Sequence, residues 1–364
     1  MTGVVELGPL VDHHCHGVVP GDLDRAGLEA LMNEAERPSP LGTTLFDSML
    51  GLAIRRWCAP LLDLEPHAPA DAYVTRRRRL GADEVNRRLL GATGIDTFLV
   101  DTGLNPGLLT DPVELAELAK APSHHEVVRL EAVAEQVLAE GTDDFAGAVT
   151  ERLRTSDGVG FKSIAAYRVG LGLPDAKPTA DALAAALTEV LPSRVAHPVV
   201  NGWLAWTAVE LGRPLQLHVG YGDNDVDLAD CDPLRLTAFL RATEERGVPV
   251  LLLHNYPFHR NAAYLAQVFE HVFMDVGLAT HNAGALSAGL LRESLELAPF
   301  GKLLFSSDAY GLAELYHLAT LLFRRNLGGL LAELVDADEM TAEDAAYVAG
   351  LVARDNARRV YGLG

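Results

Sequence analysis

Pro9-Leu10-Val11-Asp12-His13-His14-Cys15-His16 is a short apolar stretch that opens into a cluster of histidines. Side chains alternate across a strand, so His14 and His16 share one face, with Asp12 one step deeper on the same side. His13 has the opposite parity and is expected to pack behind the strand. Two imidazoles on one face can bind one metal ion, and a carboxylate at Asp12 suits orienting a ligand histidine through its second ring nitrogen. The same change from apolar run to loop recurs along the chain. Val159-Gly160-Phe161 precedes Lys162, Leu215-Gln216-Leu217 precedes His218, Val250-Leu251-Leu252-Leu253 precedes His254, and Leu303-Leu304-Phe305-Ser306-Ser307 precedes Asp308. In a parallel barrel the carboxyl ends of the strands converge on one mouth, and that is where chemistry is found.

Working outward, strand and helix signals alternate for most of the length, which predicts a parallel sheet with helical crossovers. Strands are expected near residues 9–14, 95–100, 127–131 and 159–164, then ending at His218 and His254, over 272–276, and ending near Asp308. Helical periodicity appears over 112–120, 132–140, 181–190, 233–246, 261–270 and 283–297. Eight strands in this alternation favour a closed (β/α)8 TIM barrel over an open doubly wound sheet. The chain's 364 residues exceed the roughly 250 typical of such a barrel. The surplus falls in 18–90, read as a helical insertion after the first strand, with helix-like pieces over 23–36, 44–57 and 70–88, that folds over the mouth or forms a homo-oligomer contact. A second excursion, rich in Gly, Pro and Ala, covers 169–206. The whole of 1–364 is read as one barrel domain. The run Arg76-Arg77-Arg78-Arg79 within the insertion is read as a solvated or subunit-facing surface in preference to a phosphate site.

Net charge is −20, from 50 acidic against 30 basic residues, a field that repels nucleic acid and anionic membranes. Cys15, Cys58 and Cys231 are widely spaced with no CxxC pair, which argues against a disulfide scaffold or a thiolate zinc site. With no basic leader and no apolar run of membrane-spanning length, a cytoplasmic protein acting on a small molecule is expected. Only four lysines occur (Lys120, Lys162, Lys177, Lys302), so one at the end of a buried-looking strand carries extra weight.

Each candidate has an ordinary alternative. His218 and His254 close apolar strands and face either the core or the mouth, and Asp308 would also serve as a helix N-cap. Together, neutral imidazoles and a carboxylate suit Zn2+ or a similar divalent ion with one position left for water. Arg168 shares parity with Lys162 and reaches the mouth if the strand persists or the loop curls inward, where a guanidinium would grip a substrate carboxylate. Tyr167, Glu131 and Tyr221 are candidates for the pocket wall, with packing or surface roles as the alternative.

Asp12-x-His14-x-His16, Lys162, His218, His254 and Asp308 resemble, in order, the ligands of the amidohydrolase superfamily at strands one, four, five, six and eight. Asp355-Asn356-Ala357-Arg358-Arg359-Val360-Tyr361 is similar to the terminal helix motif of the amidohydrolase-2 branch, which holds metal-dependent hydrolases and decarboxylases. Gly160-Phe161-Lys162-Ser163-Ile164-Ala165-Ala166-Tyr167-Arg168 most resembles the group related to the N-terminal domain of FluG and to nodulin-like proteins, some of which hydrolyse γ-glutamyl amides. The helical insertion also resembles that of uronate isomerase, a family in which the strand-four lysine is not expected.

The resemblance implies one or two divalent ions. In binuclear relatives the strand-four lysine, here Lys162, is carboxylated and bridges them; otherwise its ammonium pairs with Asp308 or with substrate. It further implies that Asp308 moves the proton and that His254 binds a second ion or polarises a carbonyl. The expected reaction is hydrolysis of a C–N bond in a small carboxylated molecule. A non-oxidative decarboxylase is the first alternative, and a catalytically silent barrel acting as a binding module is the second.

Overall fold

The computed structural model describes residues 5–35, 37, 39–105 and 107–364. Its strands are β1 (Leu10–Cys15), β2 (Ile95–Asp101), β3 (Ser123–Arg129), β4 (Gly160–Ser163), β5 (Leu215–Val219), β6 (Val250–His254) and β7 (Val272–Met274). They form one sheet in chain order, and the registered pairs are parallel. The helices are α1 (Arg25–Ala30), α2 (Met49–Ala53), α3 (Ala70–Leu80), α4 (Ala82–Gly91), α5 (Pro112–Ala119), α6 (Leu130–Glu140), α7 (Phe145–Thr155) and α8 (Ala180–Leu187). They continue with α9 (Pro198–Glu210), α10 (Thr237–Thr243), α11 (His259–Val268), α12 (Ala279–Ala283), α13 (Ala288–Ser294), α14 (Ala313–Asp336), α15 (Ala342–Gly350) and α16 (Asn356–Tyr361).

β1, β5 and β6 are buried along their whole length, with Val250 to Leu253 at 0% exposure. Burial on both faces is the reason β6 reads as an uninterrupted apolar run from Val250 to Leu253. No described helix is long and apolar enough to cross a membrane. Cys15, Cys58 and Cys231 are free and buried.

The chain divides into two compact units. The first takes the chain up to His125 with Val276–Leu295 and Leu304–Ala357; the second takes Glu126–Asp275, Glu296–Leu303 and Arg358–Gly364.

Among the described residues the sheet has seven strands, not the eight expected. The segment before Asp308 makes isolated contacts instead of a ladder. In the second unit Leu303 forms one parallel bridge with Met274. In the first unit His13 N donates to Phe305 O at 3.2 Å and Asp308 N donates to His14 O at 3.0 Å. The cause is local: Ser307 N is taken by the Asp12 carboxylate at 2.8 Å, Ser307 O accepts from Leu278 N, and Asp308 turns to φ +47. A side chain and a loop thus occupy groups that a strand would offer to its neighbour.

The insertion after β1 is helical and in several pieces, as expected. α3 and α4, expected as one helix, part at Gly81, whose φ of +81 a non-glycine residue rarely adopts. The arginine run does not form one solvated face. Arg77 is 3% exposed and its Nε lies 2.8 Å from Glu314 Oε1 in α14, while Tyr73 Oη donates to the same oxygen at 2.9 Å. Arg76 instead pairs with Asp63 at 2.5 Å.

Candidate metal centre

In the first unit, the end of β1 and the segment after Ser307 bring His14, His16 and Asp308 together. Asp308 Oδ1 lies 3.2 Å from His14 Nε2 and 3.5 Å from His16 Nε2, and all three residues are buried, at 0, 6 and 9% exposure. His16 Nδ1 lies 3.0 Å from the carbonyl oxygen of Asp101, at the end of β2. A carbonyl only accepts, so a ring proton sits on Nδ1, which leaves Nε2 facing the carboxylate oxygen. An imidazole nitrogen and a carboxylate oxygen at this range suit a cation held by both, a proton or a metal ion.

The spacing fits one. Tetrahedral bonds of about 2.1 Å place ligand atoms about 3.4 Å apart. Ligand atoms of His14, His16 and Asp101 also lie within 4.8 Å of one another. Asp101 was not singled out in the sequence, although Phe98-Leu99-Val100-Asp101 carries the same change from apolar run to loop as the other strands.

Asp12 has a different task from the one expected. It accepts from Ser307 N and Ser307 Oγ instead of orienting an imidazole, because its carboxylate reaches sideways to the neighbouring segment. Burial pushes its pKa to about 8, with the Ser307 and His14 hydrogen bonds pulling down and the charge of Asp308 pushing up. His13 is buried, like every residue of β1. Tyr316 Oη donates to the His16 carbonyl, fixing the end of β1 to α14. His281, also missed, is 1% exposed; burial drives its pKa down to about 4 against the attraction of Asp308 and a bond to the Ser307 backbone.

In the second unit, Lys162 lies in β4 at 2% exposure, in register with Arg129 on one side and Gln216 on the other. His218 at the end of β5 has Nε2 at 3.1 Å from Tyr221 O, which leaves Nδ1 as its lone pair. Its ring centroid is 4.7 Å from that of His254 and 4.4 Å from that of Tyr167. The turn after His218 requires glycine: Gly220 has φ +82, and a Cβ there would meet Tyr256 O at 2.2 Å. His254 is held at φ +69, its backbone N–H donating to Asp275 Oδ1 at 2.7 Å.

Glu131 starts α6 instead of ending β3. It is buried and accepts from Ser163 Oγ (2.7 Å), Ile164 N (3.1 Å) and Asn201 Nδ2 (3.2 Å), which ties the end of β4 to α6 and α9. Burial raises its pKa.

β4 ends at Ser163 and a single 3-10 turn, Ala165–Tyr167, intervenes before Arg168, so strand parity does not reach that residue. Arg168 is partly buried, 3.4 Å from Glu135 through its NH2 nitrogen, and its buried Nε has no hydrogen-bond partner among the described residues. Burial lowers its pKa, followed by repulsion from Arg194.

The amidohydrolase-2 family model, described as Amidohydrolase, matches residues 137–363. The chain belongs to the amidohydrolase family. Within it, the chain is related to FluG-like proteins: it is 28% identical to protein fluG of Emericella nidulans over 420 aligned residues, covering 99% of the chain and 46% of fluG. The chain thus spans less than half the length of that relative. A Lactobacillus casei ATCC 334 protein considered a metal-dependent hydrolase has a solved structure with a TM-score of 0.84 at 28% identity, covering 99% of this chain and 98% of that one. The uronate isomerase of Bacillus halodurans C-125 shares the fold, with a TM-score of 0.63 at 14% identity over 99% and 94% of the two chains. Family and ligand cluster together make this amidohydrolase an enzyme of the metal-dependent hydrolase class.

Proposed function

We propose that the enzyme hydrolyses the C–N bond of an amide in a small carboxylated molecule, of the γ-glutamyl amide type, with a bound divalent metal, zinc in the first instance. The observation that carries the reading is the convergence of His14 and His16 Nε2 on the Asp308 carboxylate, at spacings that suit a shared cation. His14, His16 and Asp308 would hold the ion, and His218, His254 and Lys162 would complete one or two sites, with Lys162 carboxylated in the binuclear form. A divalent ion in such a site would supply Lewis acidity, lowering the pKa of water from its bulk value to about 7 and polarising a carbonyl.

The rest falls to the chain's own side chains. Asp308 accepts a proton from the attacking water as the new C–O bond forms, then returns it to the leaving nitrogen as the C–N bond breaks. In a site with one ion, His254 polarises the carbonyl oxygen instead of holding a second ion. Arg168, with a buried Nε donor and, among the described residues, one long ion pair, receives the substrate carboxylate. Tyr167 and Tyr221 line the wall around His218. With its three cysteines reduced, the enzyme works in the cytoplasm.

The test combines metal analysis of the purified protein with a panel of γ-glutamyl amides and aromatic carboxylates. Stoichiometric divalent metal with release of amine from one amide is expected, and His16→Ala should remove both. Loss of CO2 from a carboxylate with every amide intact would replace this reading with the decarboxylase. A metal-free parent inert on both sets would leave the binding module.

A further inference from the structure

Tyr310 lies two residues beyond Asp308, and the metal-ligand reading gives it no task. Its backbone is pinned on both sides. His16 N donates to Ala309 O at 2.9 Å, Gly311 N donates to Gly17 O at 2.9 Å, and Val19 N donates to Gly311 O at 2.9 Å. The ring stands edge-on to His16, with centroids 6.1 Å apart and an interplanar angle of 79°. The hydroxyl accepts a hydrogen bond from Asn105 Nδ2 at 2.7 Å. A phenol has one proton to donate as well as lone pairs to accept with. A phenol that accepts from an amide keeps its own proton for another partner, and among the described residues no acceptor takes it. The side chain is only half-buried, so a ligand can reach it.

We infer that Tyr310 is a catalytic hydrogen-bond donor, giving its hydroxyl proton to the substrate oxygen that gains negative charge when the amide is attacked, with Asn105 positioning the hydroxyl. The inference rests on the hydrolytic reading and deepens it. Donors fixed in advance on a developing oxyanion are among the largest contributions to hydrolytic rates, and a tyrosine hydroxyl is one of the groups that serve. The four-point anchoring of residues 308–311 supplies the rigidity such a donor needs. Asn105 sets the direction of the bond: an amide N–H offered to the phenol oxygen turns the phenol proton away from the loop.

That directional argument gives a test that a merely structural tyrosine would not pass. Tyr310→Phe keeps the ring against His16 and loses only the hydroxyl. Asn105→Asp keeps the size of the side chain but can only accept, so it captures the phenol proton. Both should lower kcat by about 10²–10³-fold with KM nearly unchanged. Asn105→Ala, which removes the orienting bond without capturing the proton, should cost several-fold less.

Metal content, measured in parallel, should equal that of the parent in all three variants. Inorganic phosphate, a tetrahedral oxyanion, supplies a readout independent of turnover, by calorimetry on the metal-loaded protein. Y310F and N105D should each weaken phosphate binding at least tenfold. Full phosphate affinity in both variants overturns the inference. If the parent hydrolyses no amide while both variants lose phosphate, the hydrolytic reading fails and the donor role of Tyr310 stands.

Discussion

Removing the Arg77 guanidinium should unfasten the helical insertion from the element that braces the metal ligands. Arg77 in α3 and Glu314 in the first turn of α14 are 3% and 0% exposed at the side chain, with N and O 2.8 Å apart. Breaking a buried pair by deleting one partner costs about 3–5 kcal/mol, because the surviving charge is left in the interior. Burial pushes the Glu314 pKa up, but attraction and hydrogen bonding from Arg77 outweigh it and hold the carboxyl below the usual range.

In the parent, therefore, this carboxylate contributes stability at pH above about 4.3, the unfolded value, and loses it as pH falls through the folded one. Arg77→Ala removes the downward influence and leaves burial in charge, so the sign reverses. The variant should be least stable relative to the parent at neutral pH, and the gap should narrow as pH falls towards about 4 and Glu314 takes up a proton. Urea unfolding followed by tryptophan fluorescence, at equal metal loading, measures both quantities. Arg77→Met combined with Glu314→Gln should recover most of the loss, since a neutral amide still accepts from Tyr73. A single-variant loss below about 1 kcal/mol at pH 7, or a gap independent of pH, would show that the pair carries no buried charge.

Three further outcomes are expected. Asp12→Asn should weaken metal binding about 10–100-fold by competitive chelator titration, because its NH2 cannot accept from Ser307; unchanged affinity would sever Asp12 from the site. Reconstitution of the apoprotein in bicarbonate-depleted buffer should regain activity more slowly than with bicarbonate if Lys162 is carboxylated, and Lys162→Ala should drop the metal content from two ions to one. Equal recovery, or one ion at full activity, favours a mononuclear centre. Arg168→Ala should cost about 3–5 kcal/mol in kcat/KM on carboxylated amides at unchanged metal content, and Lys in its place should rescue only partly. A variant as active as the parent makes Arg168 a structural partner of Glu135.

What the sequence disclosed about the fold followed from how each residue's signal is written. Strands β1, β5 and β6 were legible because strands buried on both faces are rich in apolar residues, without a break in β6, and each such stretch gives way to histidine at its carboxyl end. The insertion was legible as helical pieces, but 70–88 read as one of them, since its periodicity continues through Gly81 and only the φ of +81 shows the break. Arg77 was hidden inside a charge run, because the partner that buries it lies 237 residues away. The eighth strand was overread: Leu303-Leu304-Phe305 has the composition of a strand, while the hydrogen bonds that deny it a ladder come from Asp12 and Leu278.

The misreading of Asp12 points to a feature of both units that composition does not reveal. His254 and Asp308 are proposed ligands, and both carry positive φ, at +69 and +47, a conformation that costs a non-glycine residue about 1–3 kcal/mol. In each case a buried aspartate holds the backbone nearby: Asp275 accepts from His254 N itself, and Asp12 accepts from Ser307 N, one residue before Asp308. A hydrogen bond from a backbone donor to such a carboxyl is worth about 0.5–1.5 kcal/mol, enough to offset part of the strain. An aspartate in a ligand-rich strand reads as a helper of imidazoles because its sequence neighbours are imidazoles. The structure makes it a helper of the main chain, turning the backbone so that the functional side chain leaves the strand at an angle no regular strand allows.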